Sequence, residues 1–297
     1  MAIRIGTRGS KLALAQTATV CKKLSALGIP SEQVIIATQG DTSTGVPLHE
    51  IGGQGVFVRA LDDAILAGDI DCAVHSMKDI PAFRPSGLFT AAVLERDSAA
   101  DYFAYNGSLD AVKVIGTSST RRRAQLLRHD PDISIQDLRG NVDTRIRKLT
   151  AGEFDAIVLA EAGLTRLGIR IPGERFPPEK FVPAPNQGTI AVVSRAEDPS
   201  LMEALSTIDH AQSRTDVAIE RAVMEQLGGG CFTPLGIYCH EGHLIAEVLS
   251  LDGTRTERIE TDVQSIELAR VQGRQLHVRA KELIDDAYQK LGIRHDR

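Results

Sequence analysis

The feature that most constrains this chain is an alternation that restarts: short β-rich runs trade places with amphipathic stretches up to about residue 95, and the same order then begins again. Strand–helix alternation of this kind specifies a layered α/β fold. Residues 3–6 read as a strand. Residues 11–27 read as a helix with Val20, Leu24 and Leu27 on one face, ended by Gly28 and Pro30. Residues 34–37 form the next strand. Leu61, Ala64 and Ile65 follow Phe57 at helical spacing up to Gly68, and residues 72–75 make a buried strand. After extended segments at 89–95 and 101–105, a second unit runs through a strand at 112–116, a helix at 120–128, a strand at 134–138, a helix at 142–151 and a strand at 156–160. A loop carrying Pro172, Pro177, Pro178, Pro183 and Pro185 returns the chain to a strand at 190–193. A helix at 215–227 runs into Gly228-Gly229-Gly230. Strands at 237–239, 244–251 and 258–263 with a long helix at 265–291 complete a small α+β domain.

A length of 297 residues exceeds one compact core and predicts two or three domains. No stretch approaches the ~18 apolar residues that cross a membrane, and the opening Met-Ala-Ile-Arg-Ile-Gly lacks the pattern of a secretory signal. A cytoplasmic protein is therefore expected. Cys21, Cys72, Cys231 and Cys239 show no C-x-x-C spacing, which suits reduced thiols. A net charge of -5 argues against nucleic acid as a partner. Yet Arg121, Arg122, Arg123, Arg128, Arg139, Arg145 and Arg147 crowd one segment, and guanidinium is the group suited to bidentate capture of carboxylate or phosphate. A small anionic ligand is implied.

Four segments carry candidate chemistry. Gly6-Thr7-Arg8-Gly9-Ser10-Lys11 is a strand-to-helix turn that seats an anion or, more plainly, caps a helix with Ser10. His75-Ser76-Met77-Lys78-Asp79-Ile80-Pro81 follows a buried strand, where open α/β sheets place ligands. There Asp79 is either a carboxylate aimed at a cationic centre or half of an exposed ion pair. Gly116-Thr117-Ser118-Ser119-Thr120-Arg121-Arg122-Arg123 and Leu138-Arg139-Gly140-Asn141-Val142-Asp143-Thr144-Arg145 are two further loop-to-helix turns. Three successive arginines on a helix point in three directions, so some of them face solvent. Gly228-Gly229-Gly230-Cys231-Phe232-Thr233-Pro234 puts a thiol on a loop of unusual freedom, against the ordinary reading of a buried, inert cysteine. Cys239-His240-Glu241-Gly242-His243 has ligand types for zinc but not the tight paired spacing, and reads equally as a hairpin turn.

These segments, with Gly52-Gly53-x-Gly55-x-Phe57, Ala162-Gly163-Leu164-x-Arg166-Leu167 and Gln187-Gly188, resemble the porphobilinogen deaminases along essentially the whole chain. The resemblance implies two lobes like those of type II periplasmic-binding proteins, with mixed sheets and an active cleft between them, plus a small C-terminal α+β domain. The division would be 1–95 with 188–210, then 96–187, then 211–297. It implies a transferase that joins four porphobilinogen molecules head to tail with loss of ammonia, giving hydroxymethylbilane. The primer would be a dipyrromethane held on Cys231 by a thioether, with no metal, and the protein would be a monomer. Asp79 would be catalytic, assisting ammonia departure, stabilising successive pyrrole cations and helping remove the ring proton. Lys78, Ser119, Arg121 and Arg122 would hold the cofactor, and Arg8, Ser10, Arg139, Arg145 and Arg166 the substrate carboxylates. Gln54, where the family often has lysine, and Asn186, where it often has glycine, depart from the pattern. Two other classes fit parts of the sequence: an anion-binding receptor, which leaves Asp79 and Cys231 without a task, and a phosphoribosyl-type transferase, whose magnesium carboxylates are not evident.

Overall fold

A computed structural model describes residues 2–37, 56–82, 84–195, 198–228 and 233–293 of the chain. Cys231 and residues 52–55, with Gln54 and the glycines of that motif, lie outside them. The described chain divides into two compact units, Met1–Asp97 with Gly188–Thr215, and Ser98–Gln187 with Asp216–Arg297. Among the described residues no helix is long and apolar enough to cross a membrane.

The first unit is a mixed five-stranded sheet in the order β2-β1-β3-β10-β4, made of β1 (Ile3–Thr7), β2 (Ser31–Ile35), β3 (Cys72–Ser76), β10 (Ile190–Arg195) and β4 (Leu88–Val93). β1 runs parallel to β2 and β3, whereas β10 is antiparallel to both β3 and β4. Helix α1 (Lys11–Ala26) buries Gln16, Thr17, Val20 and Leu24, and the last two join Ile5, Cys72, Val74 and Val192 in one apolar cluster. Leu27, read from the sequence as part of that face, is instead the exposed residue at the helix end, because Gly28 at φ 75° turns the chain away there. Helix α2 (Val56–Ala67) packs against the sheet through Leu61, and Gly6 is what permits the approach. A Cβ there would lie 3.1 Å from Leu61 Cδ2 and run into Ile70. The glycine read as part of an anion-binding turn thus makes room for a helix, a packing role. Helix α6 (Pro199–Ser206), absent from the sequence reading, is capped by Asp198, whose side chain accepts from Leu201 N at 3.0 Å, with proline in the first turn.

The second unit holds the sheet β7-β6-β8-β5-β9, from β5 (Asp101–Tyr105), β6 (Val114–Gly116), β7 (Ser134–Gln136), β8 (Ala156–Ala160) and β9 (Gly173–Phe176). The sequence expectation of a plain loop around Pro172 and Pro177 is corrected by β9. Its prolines bracket the strand rather than interrupt it, and it pairs only with β5 at the sheet edge, where a missing N–H is tolerated. Gly116 repeats the role of Gly6: a Cβ there would lie 3.0 Å from Phe154 Cγ. A separate antiparallel sheet, β11 (Leu235–His240), β12 (His243–Leu249) and β13 (Thr256–Asp262), is flanked by helix α7 (Ala211–Gln226), whose Glu220 accepts from Cys239 N, and by helix α8 (Ile266–Leu291), which packs on β12 and β13. Helix α7 begins four residues before the sequence reading has it. The β11–β12 connection is the hairpin alternative for residues 239–243. His240 opposes His243, Cys239 is buried, and His243 faces outward toward Asp262 at 2.9 Å.

Candidate active site

In an open sheet, loops that leave the carboxyl ends of parallel strands meet at one edge. In the first unit the register Ile5↔Cys72 and Gly6↔Ala73 means that Thr7–Arg8 and Ser76–Asp79 leave the sheet together. Ser10 is the N-cap of α1, its side chain accepting from Ala13 N at 3.3 Å. Gln16 on α1 donates to Ser76 Oγ at 2.8 Å, tying that helix to the end of β3. The chain then makes a single 3-10 turn, Met77–Asp79. Met77 is buried and its N–H donates to Thr189 O at 2.9 Å, so the turn is anchored from below. Lys78 is half-buried and Asp79 exposed, which leaves the Asp79 carboxylate on the surface of a fixed turn beside a cation.

Next to it lies a polar group to which the sequence reading gave no role. His75 is buried, and burial, together with the positive charges of Arg84 and Arg8, pushes its pKa down to about 3. It is a neutral imidazole. Arg84 pairs with the buried Asp62 of α2. No local signal joins Asp62 to Arg84, twenty-two residues apart.

In the second unit β6, β7 and β8 are mutually parallel, and Asp101 at the start of antiparallel β5 opposes Ala160 at the end of β8. The turns after β6, β7 and β8 and the residue Asp101 therefore share one edge. Helix α3 (Thr120–His129) starts after β6 with Ser119 as N-cap, its Oγ accepting from Arg122 N at 3.4 Å. Helix α4 (Val142–Thr150) starts after β7 and carries Arg145, preceded by exposed Arg139. Helix α5 (Glu161–Arg166) starts directly after β8 and ends with half-buried Arg166. Ser119, Arg121, Arg122, Arg139, Arg145 and Arg166 are thus brought by topology to one end of one sheet.

The three successive arginines divide as helix geometry requires, with only Arg123 turned outward, 3.5 Å from Asp137. Arg121 and Arg122 are both buried against Asp101. Arg121 Nη1 lies 2.8 Å from Asp101 Oδ2, and Arg122 Nη2 and Nε donate to Oδ1 at 2.7 and 3.1 Å. Burial alone would raise the Asp101 pKa, but the two guanidiniums outweigh it and hold the carboxyl well below its usual range. Arg145 donates from Nε to Gly140 O at 2.8 Å. Burial and the nearby charge of Arg122 push its pKa down to about 10, so it remains a cation at neutral pH. Buried or half-buried positive charge gathered at one sheet edge has the chemistry to hold carboxylates. Such a donor set fits dipyrromethane, whose two rings carry acetate and propionate groups. Asn186 adopts φ 65°, the left-handed conformation that favours glycine and that asparagine tolerates. That accounts physically for the departure at this position.

Comparison with known proteins bears on the whole chain. The solved structure of the methionine-binding protein MetQ aligns over 74% of this chain and 93% of its own, with a TM-score of 0.42 and 13% identity. The family model described as "Porphobilinogen deaminase, dipyromethane cofactor binding domain" matches residues 3–203, and that described as "Porphobilinogen deaminase, C-terminal domain" matches residues 215–282. A probable porphobilinogen deaminase of Methanosarcina acetivorans is 50% identical over 299 residues, covering 95% of this chain and 94% of its own. The porphobilinogen deaminase of Geobacillus kaustophilus is 45% identical over 264 residues, covering 84% and 85%. The chain belongs to the porphobilinogen deaminase family.

Proposed function

We propose that this protein condenses four porphobilinogen molecules into hydroxymethylbilane, working from a dipyrromethane primer on Cys231, with Asp79 as the catalytic carboxylate. The observation that carries the reading is the gathering of Ser119 and five arginines at one sheet edge in a chain of net charge -5. A product that gains two carboxylates with each ring needs such a surface. Bound dipyrromethane would supply the free pyrrole α-carbon on which the first ring is joined, and each ring added would present the next.

The protein's own groups do the rest. Asp79 is exposed on a turn whose backbone is pinned through Met77 and whose preceding strand is tied to α1. A carboxylate held in that way stabilises positive charge developing on a pyrrole methylene and accepts the proton lost from the ring. At about 4 Å the attraction is worth ~4 kcal/mol for an effective dielectric near 20. Lys78, Ser119, Arg121 and Arg122 hold the primer's carboxylates, and Arg8, Ser10, Arg139, Arg145 and Arg166 those of the incoming ring. Ser10 and Ser119 already cap helices through their side chains, so each offers an anion its hydroxyl proton and the adjoining backbone N–H groups. The division into 1–95 with 188–210, 96–187 and 211–297, a cytoplasmic location and a monomeric state belong to the same reading. The separate β11–β13 sheet supports the third part.

Intact mass under denaturing conditions tests the proposal. The chain should be heavier than its 32.1 kDa sequence by one dipyrromethane, and Cys231→Ser should appear at the unmodified mass without turnover. A Cys231→Ser protein that consumes porphobilinogen at the parental rate refutes the primer assignment.

A further inference from the structure

Arg121 and Arg122 stand about 100° apart on their helix, yet both guanidiniums reach Asp101, because the two carboxylate oxygens diverge. Oδ2 takes Arg121 Nη1 at 2.8 Å and Oδ1 takes Arg122 Nη2 at 2.7 Å. The Asp101 carboxylate is fully buried. Gln187 completes the arrangement, donating from Nε2 to Asp101 Oδ1 at 3.0 Å and to Ala99 O at 2.8 Å. Each arginine also donates to a backbone carbonyl at 2.8 Å, Arg121 to Val182 O from the same Nη1 that faces Asp101, and Arg122 to Val158 O from the Nη1 that does not. The cluster is cross-linked by hydrogen bonds. It is also unbalanced, since one carboxylate serves two cations, and the described residues give the adjacent Arg145 no carboxylate. Glu247, a further acid whose charge reaches Arg121, is already shared by Arg128 at 3.0 Å and Arg258 at 3.4 Å.

A buried ion pair kept only for stability has balanced charges, because uncompensated charge away from water is costly. A fixed group with one positive charge in surplus is instead completed by an anion. Resting on the function proposed above, we infer that Asp101 is a positioning residue. It orients Arg121 and Arg122 toward the carboxylates of the primer and growing chain, and Gln187 holds Asp101 in its turn. The exposed part of the two arginines is small, 5% and 8% of their side chains. Their direction therefore matters more than their number.

The test uses the full-length protein with two substitutions. Asp101→Glu keeps the charge but displaces both guanidiniums by about one methylene, and a displacement of ~1 Å at a reacting site costs up to 10²-fold in rate. Asp101→Asn keeps the shape and removes the charge. Both should give folded protein by circular dichroism with kcat/KM lowered at least about 10-fold, and covalent chain intermediates on the protein, read by intact mass, should shift toward shorter species. A purely structural Asp101 would lower the melting temperature and leave kcat and KM of the folded fraction at parental values, which overturns the inference. Should neither variant fold, Gln187→Met, which keeps every charge, is read by the same two measurements. A parent protein that carries no dipyrromethane and consumes no porphobilinogen sinks the functional reading itself. An active parent beside variants of parental kcat/KM sinks only the role of Asp101.

Discussion

Glu220 offers the most direct measure of how helix α7 is bound to the rest of its unit. It is fully buried, and its carboxylate oxygens accept two backbone N–H groups from distant segments: Cys239 N at 2.8 Å, and Asn186 N. Glu220→Gln preserves the shape but offers one oxygen and one NH2, so one of the two backbone donors faces another donor. Losing a hydrogen bond to a charged acceptor costs ~1.5–3 kcal/mol, and leaving the N–H unsatisfied adds to it. Removing a buried charge works the other way. A net loss of about 2 kcal/mol follows, which lowers the melting temperature by about 4–8 °C for a cooperative unit of 150–250 residues. Thermal melts followed by circular dichroism supply the value. Hydrogen exchange supplies the location, because the amide of Asn186 or of Cys239 should exchange faster than in the parent. A melting temperature within 1 °C of the parent, with both amides unchanged, refutes the reasoning.

Two further outcomes can be checked. Asp79→Asn should fold with an unchanged melting temperature, since the side chain is exposed, while steady-state turnover falls by about 10²–10³-fold; a rate within threefold of the parent assigns the chemistry elsewhere. His75 titrates near 3 in the folded protein, below its unfolded value of about 6.5, so the unfolded chain binds the extra proton in that window. Stability therefore rises with pH between about 3 and 6.5, and acidification costs up to ~1.4 kcal/mol per pH unit. Urea midpoints measured from pH 7 to 4 should fall less steeply in His75→Gln; equal slopes contradict the neutral, buried imidazole.

Helix starts, strand cores and glycine stops were legible in the sequence, because each is encoded within a few residues. Ser10 and Ser119 cap the helices that follow them, and the bounds of β5 and β8 match the apolar runs that announce them. The order of motifs also announced the family. What depends on distant partners was not legible. Strand β10 comes from beyond residue 189 yet inserts antiparallel between β3 and β4, and nothing in Ile190-Ala191-Val192-Val193 names its neighbours. Asp101 looked like the first residue of an ordinary strand. Only strand pairing, which sets it opposite Ala160, brings it to the arginines at the start of α3. Periodicity, capping and chain stiffness act over one turn or one strand and can be read along the chain. Pairing order, burial and the partners of charged groups follow from which surfaces meet once the chain has folded, and these the tertiary structure alone decided.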